Sequence, residues 1–156
     1  MQKSQIKEKL KSAIQIYKKT KDPRVSEVIE HLTKILSTSK SRDNLLDYAK
    51  HVYPGYKDPA HIKLIAKNLE SLEKGEINRL AVFMPPRHGK SMLCSEFFPA
   101  WYLGNNPKEF VIQSTYAQEL ADDFGRKVRN QIASPDFNNV FPQVGLRADS
   151  SSAKRF

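Results

Sequence analysis

The chain has 156 residues, 39% hydrophobic and 28% charged, with 6 Gly and 9 Pro, a composition that suits about one globular domain and excludes collagen-like or broadly disordered chains. Its formal charge of +9 favours polyanionic partners such as nucleic acid, although lysine-rich surfaces also serve only to solubilise. The single cysteine, Cys94, excludes an internal disulfide framework and a cysteine-rich zinc site.

No apolar run approaches the roughly 18 residues that a membrane span needs, and Met1 leads into a charged segment instead of a signal-peptide core. A soluble protein of a reducing, intracellular compartment is expected. The first half is lysine-rich and helical in pattern, with Ile6, Leu10, Ala13, Ile14 and Tyr17 at three- and four-residue steps and seven lysines among the first 21 residues. Pro23 separates this helix from a second stripe of Val25, Val28, Ile29, Leu32, Ile35 and Leu36. The polar stretch Ser37 to Ser41 reads as a linker. A third helix, capped by Asp43 or Asn44, contains Leu45, Leu46, Tyr48, Ala49 and Val52 and ends before Pro54-Gly55. Pro59 opens a fourth, striped by Ile62, Ile65, Leu69 and Leu72 and closed by Lys74-Gly75.

After Gly75 the pattern changes. Leu80-Ala81-Val82-Phe83-Met84 is a short continuous apolar run, as in a central parallel strand buried on both faces. A helix pattern runs from Ser91 to Leu103, with Pro99 expected to kink or shorten it. Phe110-Val111-Ile112 reads as a second strand, and Leu120, Phe124, Val128 and Ile132 stripe a helix over 117–132. Strand, loop, helix, strand, helix is the rhythm of an α/β fold, here a helical N-terminal region over 1–55 followed by the incomplete parallel sheet of a P-loop domain over 56–156. The tail from Ser134 to Phe156 is less regular.

Gly89-Lys90-Ser91 lies between a strand-like run and a helix-like run, where a phosphate-binding loop belongs. Gly lets the backbone approach phosphate oxygens, and the helix start offers unpaired N–H groups. Lys supplies a positive charge, and the Ser hydroxyl is a ligand for Mg²⁺. Met84 stands where the full G-x-x-x-x-G-K-[ST] pattern has its first Gly.

The run Met84 to Ser91, followed by Phe98-Pro99-Ala100-Trp101-Tyr102-Leu103-Gly104, resembles the deviant Walker A region of large terminase subunits, the DNA-packaging motors of tailed phages and prophages. Leu120 to Asn130 is similar to a helix of that family, and Pro59, His61, Leu64 and Ile65 are similar to its stretch upstream of the loop. The resemblance covers about residues 45–156. It implies an ATP-binding loop of Pro86, Arg87, His88, Gly89, Lys90 and Ser91, with ATP and Mg²⁺ as cofactors and Ser91 as the metal contact. Arg87 matches an arginine that contacts phosphate or senses nucleotide state in that family, and a surface salt bridge is its bland alternative. His88 has no adjacent nucleophile or metal-spaced partner, so its expected part is to orient the loop.

The resemblance further implies double-stranded DNA, a small terminase subunit, a portal protein and further copies of the chain as partners, in the cytoplasm of a bacterial host. No aliphatic run ending in an acid follows Ser91, so the acid that would organise Mg²⁺ and the attacking water is missing, and Asp122 and Asp123 read as helix-surface acids. No catalytic set is complete. The chain is expected to be the ATP-binding front part of such a motor, a fragment or half of a split gene without hydrolysis of its own. The alternative from a different class is a basic DNA- or partner-binding helical module, since residues 1–79 hold 17 Lys and Arg against 10 Asp and Glu.

Overall fold

The computed structural model describes residues 3–146, and every regular element among them is helical. The helices are α1 (Lys3–Thr20), α2 (Pro23–Asp43), α3 (Leu45–Val52) and α4 (Ala60–Glu73), then a π-helix (Met92–Phe97) running directly into α5 (Phe98–Asn105), and finally α6 (Gln118–Ile132) and α7 (Pro135–Val140). The chain divides into two compact units, one ending at Lys40 and the other beginning at Ser41. Expectations for the tail beyond Leu146 lie outside the described residues.

In the first unit, α1 buries Ile6 and Ala13 and α2 buries Leu32, while the lysines of α1 are exposed. Lys21 turns the chain with φ 49°, and the Asp22 carboxylate accepts the Arg24 N–H at 2.9 Å to start α2. The expected linker is helical instead. Ser37 and Thr38 sit inside α2, and their hydroxyls donate to the Lys34 carbonyl one turn back, at 2.8 and 3.1 Å. Polar hydroxyl residues that satisfy themselves in this way do not break a helix.

The second unit holds the main core, in which Tyr48, Ile62, Leu93, Trp101, Val128 and Phe137 are buried together. The helix ends in this unit are tied to one another by polar side chains. Asn44 caps α3 by accepting the Asp47 N–H at 2.9 Å, and the Glu70 carboxylate of α4 accepts both the Asn44 amide (2.9 Å) and the Leu45 N–H (2.8 Å). An acid at a helix N-terminus satisfies orphan N–H groups and complements the dipole. At the end of α2, the Trp101 indole N–H donates to the carbonyls of Ser41 (3.0 Å) and Arg42 (3.1 Å). Arg42 Nε in turn donates to the Val140 carbonyl.

The α/β expectation is overturned, because no strand occurs among the described residues. Residues 80–84 are non-regular, with Leu80, Val82 and Met84 packed against the core while Phe83 is 94% exposed. The run is therefore buried on one side only. Phe110 and Ile112 are 91% and 94% exposed, and no backbone hydrogen bond among the described residues joins their segment to 80–84. A strand exists only through a hydrogen-bonded neighbour, and an apolar run of this length reads the same whether or not it finds one.

Pro99 does not end its helix, which continues unbroken over 90–105 with the π-helix just ahead of it. Lacking an N–H, Pro99 cannot serve the Ser95 carbonyl one turn back. The Gln113 side-chain amide donates to that carbonyl at 2.9 Å instead, holding the second extended segment to the helix. Gly104 in α5 faces the buried Phe141, whose ring would lie 2.5 Å from a Cβ at that position. Gly104→Ala is expected to destabilise the protein by about 1–3 kcal/mol through overpacking, read as a lower urea midpoint; an unchanged midpoint would contradict this contact.

Candidate phosphate-binding site

The loop at 85–91 joins the half-buried segment 80–84 to the helical run that begins at 90. Two of its residues take left-handed backbone, Arg87 at φ 64° and Gly89 at φ 83°. This double reversal curls the backbone into a concavity of about 140 Å³ lined by residues 85–92 alone. All six residues of the sequence-predicted ATP loop, Pro86, Arg87, His88, Gly89, Lys90 and Ser91, line it.

The bends have identifiable supports. The His88 ring turns back on its own loop, its Nδ1–H donating to the Pro86 carbonyl at 2.8 Å. The His61 ring, in the first turn of α4, donates from Nε2 to the His88 carbonyl at 3.3 Å, and the two imidazoles cross with centroids 6.0 Å apart. A Cβ on Gly89 would stand 3.3 Å from Ile62 Cδ1, so the loop lies directly on α4. The expected sheet is absent among the described residues, and α4 carries the loop in its place.

Lys90 and Ser91 occupy the first helical positions after the loop, Lys90 partly buried and Ser91 exposed. They also border a second cavity of about 290 Å³, lined by Leu69, Leu72, Leu80 and Val82 together with Cys94 and Ser95. Cys94 lies one turn beyond Lys90. Burial pushes its thiol up from the ordinary cysteine range, and the Lys90 charge pulls it partly back. Among the described residues no carboxylate pairs with Arg87, which is exposed.

The acids of α6 are surface residues with partners. Asp123 pairs with Arg126 at 3.6 Å and with Lys127 at 3.1 Å, and Asp122 accepts the Gln118 amide at 2.8 Å. Lys127 also reaches Glu96 of the π-helix at 3.0 Å. Among the described residues no group of three or more His, Cys, Asp or Glu side chains is placed to hold a metal ion, and no helix is long and apolar enough to cross a membrane.

Sequence reasoning placed His61 in the stretch upstream of the loop and Ile62 in the apolar stripe of α4, but it gave neither a contact with the loop and gave Gln113 no tie to the helix. His61 lies 27 residues before its bonded partner, a separation that leaves no periodic signal. Comparison with protein-family models, with curated proteins and with solved structures finds no match for the chain.

The chemistry available at this loop is anion binding by backbone N–H groups at a helix start, reinforced by one ammonium and one hydroxyl. The proximity of Lys90 to Cys94 is measurable without any ligand. Cys94 alkylation is expected to show a pH midpoint above the usual ~8.5 of a free thiol, and Lys90→Met should move it higher still by removing a charge that favours the thiolate. A midpoint that stays put in Lys90→Met would contradict the placement of Lys90.

Proposed function

We propose that the loop Pro86 to Ser91 binds the phosphates of ATP together with Mg²⁺, and that the chain is the ATP-binding part of a terminase-like motor that packages double-stranded DNA. The observation that carries this reading is the curled loop itself. Its two left-handed residues and its Gly-Lys-Ser sequence open directly into a helix, and its lining is a cradle with no acidic side chain in it. Such a cradle fits an anion, because the helix start presents N–H groups and the Lys90 ammonium adds a positive charge that pairs with no carboxylate among the described residues.

Within this reading Gly89 keeps the backbone close to the phosphate oxygens. Lys90 supplies charge to the terminal phosphates, and the Ser91 hydroxyl ligates the Mg²⁺ that comes with the nucleotide. Arg87, projecting from the loop, serves as the phosphate sensor. The bound Mg²⁺ would neutralise phosphate charge and so favour transfer chemistry. The reading assigns the chain no hydrolysis by itself, since none of its acids follows an aliphatic run beside the loop. DNA, a small terminase subunit, a portal protein and other copies of the chain are the partners it calls for, in the cytoplasm of a bacterial host.

A second reading, a basic DNA-binding module without nucleotide chemistry, is favoured by one observation. The lysines at 3, 7, 9, 11, 18 and 19 of α1 are all exposed. Titration calorimetry with Mg·ATP separates the two. The first reading predicts saturable binding that Lys90→Ala weakens by at least about tenfold, the loss of one charge-assisted contact worth about 1.5–3 kcal/mol. Ser91→Ala should remove only the Mg²⁺-dependent share. Unchanged affinity in Lys90→Ala would sink the role given to Lys90, and salt-sensitive DNA binding with no nucleotide binding would favour the second reading.

A further inference from the structure

We propose that His61 is a positioning residue of the phosphate loop, an inference that rests on the phosphate-binding reading above. The peptide between His88 and Gly89 lies where the loop meets α4. A trans peptide is planar, so its carbonyl oxygen and its N–H point in opposite directions. The His61 Nε2–H holds the His88 carbonyl against the first turn of α4 at 3.3 Å. The Gly89 N–H is thereby turned away from α4, and it has no acceptor among the described residues.

Two further observations make this orientation specific. Gly89, at φ 83°, lies beside Ile62, which is itself only 2% exposed and whose Cδ1 would stand 3.3 Å from a Cβ at that position, so the loop backbone runs close along α4. The His88 ring is tied to Pro86 and does not compete for its own carbonyl. His61 is thus the only side chain among the described residues that donates to that carbonyl. Its donor aims the first N–H of the cradle at an anion without touching the anion. A neutral donor of the same reach should serve equally well, because the task is to orient a dipole.

The experiment uses the full chain and compares wild type, His61→Leu, His61→Gln and Lys90→Ala. The first readout, without nucleotide, is the His88 carbonyl ¹³C resonance, which responds to the hydrogen bond it accepts. The second is Mg·ATP affinity by calorimetry, with the thermal midpoint recorded for each variant. His61→Leu should shift the His88 resonance and weaken Mg·ATP binding about three- to tenfold, the size of one lost hydrogen bond, with little change in thermal midpoint. His61→Gln should restore both towards wild type.

A His88 resonance identical in wild type and His61→Leu would overturn the proposal whatever the nucleotide does. So would full Mg·ATP affinity in His61→Leu while Lys90→Ala has lost it, a result that leaves the phosphate reading standing. Absence of Mg·ATP binding by the wild-type chain would instead overturn the phosphate reading and the positioning role together.

Discussion

The seat of Gly89 on Ile62 is the contact on which the site depends. The backbone at Gly89 runs through a positive φ, and a Cβ there would stand 3.3 Å from Ile62 Cδ1, so glycine suits both the turn and the close approach. Remove either partner and the curl between Pro86 and Ser91 loses its floor. Every feature proposed for this loop, its open N–H groups and the placing of Lys90 and Ser91 at the start of a helix, follows from where that floor lies.

The floor is rigid because of what holds α4. Ile62, Ile65, Ala66 and Leu69 form its buried stripe, and Glu70 on the same helix caps α3 through two hydrogen bonds. Leu93 and Phe97 bring the π-helix into the same core, with Tyr56 meeting Phe97 edge-on at 5.2 Å between centroids. The helix that presents the loop and the helix that supports it are therefore packed on one set of side chains. The π-helix and Pro99 add a local irregularity that frees the Ser95 carbonyl for Gln113. Irregular helix turns of this kind place a backbone acceptor where a neighbouring segment can be tied.

The helices were legible in the sequence wherever a stripe at helical spacing had a clear stop. The stripe of α4 from Ile62 to Leu69, the Asn44 cap of α3 and the Leu120 to Ile132 register of α6 all stand where periodicity and capping chemistry put them. That a loop runs up to a helix start at Gly-Lys-Ser was legible for a different reason, since the tripeptide stands between an apolar run and a helical stripe. Two inferences failed on context that no local pattern holds. The apolar runs at 80–84 and 110–112 have strand composition, but neither finds a backbone hydrogen-bonded neighbour among the described residues, and Phe83 and Ile112 face outward. The Ser37 to Ser41 stretch has linker composition, but it is helical, and the Ser37 and Thr38 hydroxyls bond within α2. The tie from His61 to the loop was not legible because its partner is a backbone carbonyl, which has no residue identity to read.

The central claim is that the backbone at Gly89, Lys90 and Ser91 receives a phosphate. Its most direct test is a titration of the ¹⁵N-labelled chain with Mg·ATP, followed by amide chemical shifts. The account predicts that the largest changes fall on Gly89, Lys90 and Ser91, with smaller ones on His88 and His61 and almost none on α1. A spectrum of folded protein in which those three amides stay fixed, or in which only the lysine-bearing turns of α1 respond, would contradict it.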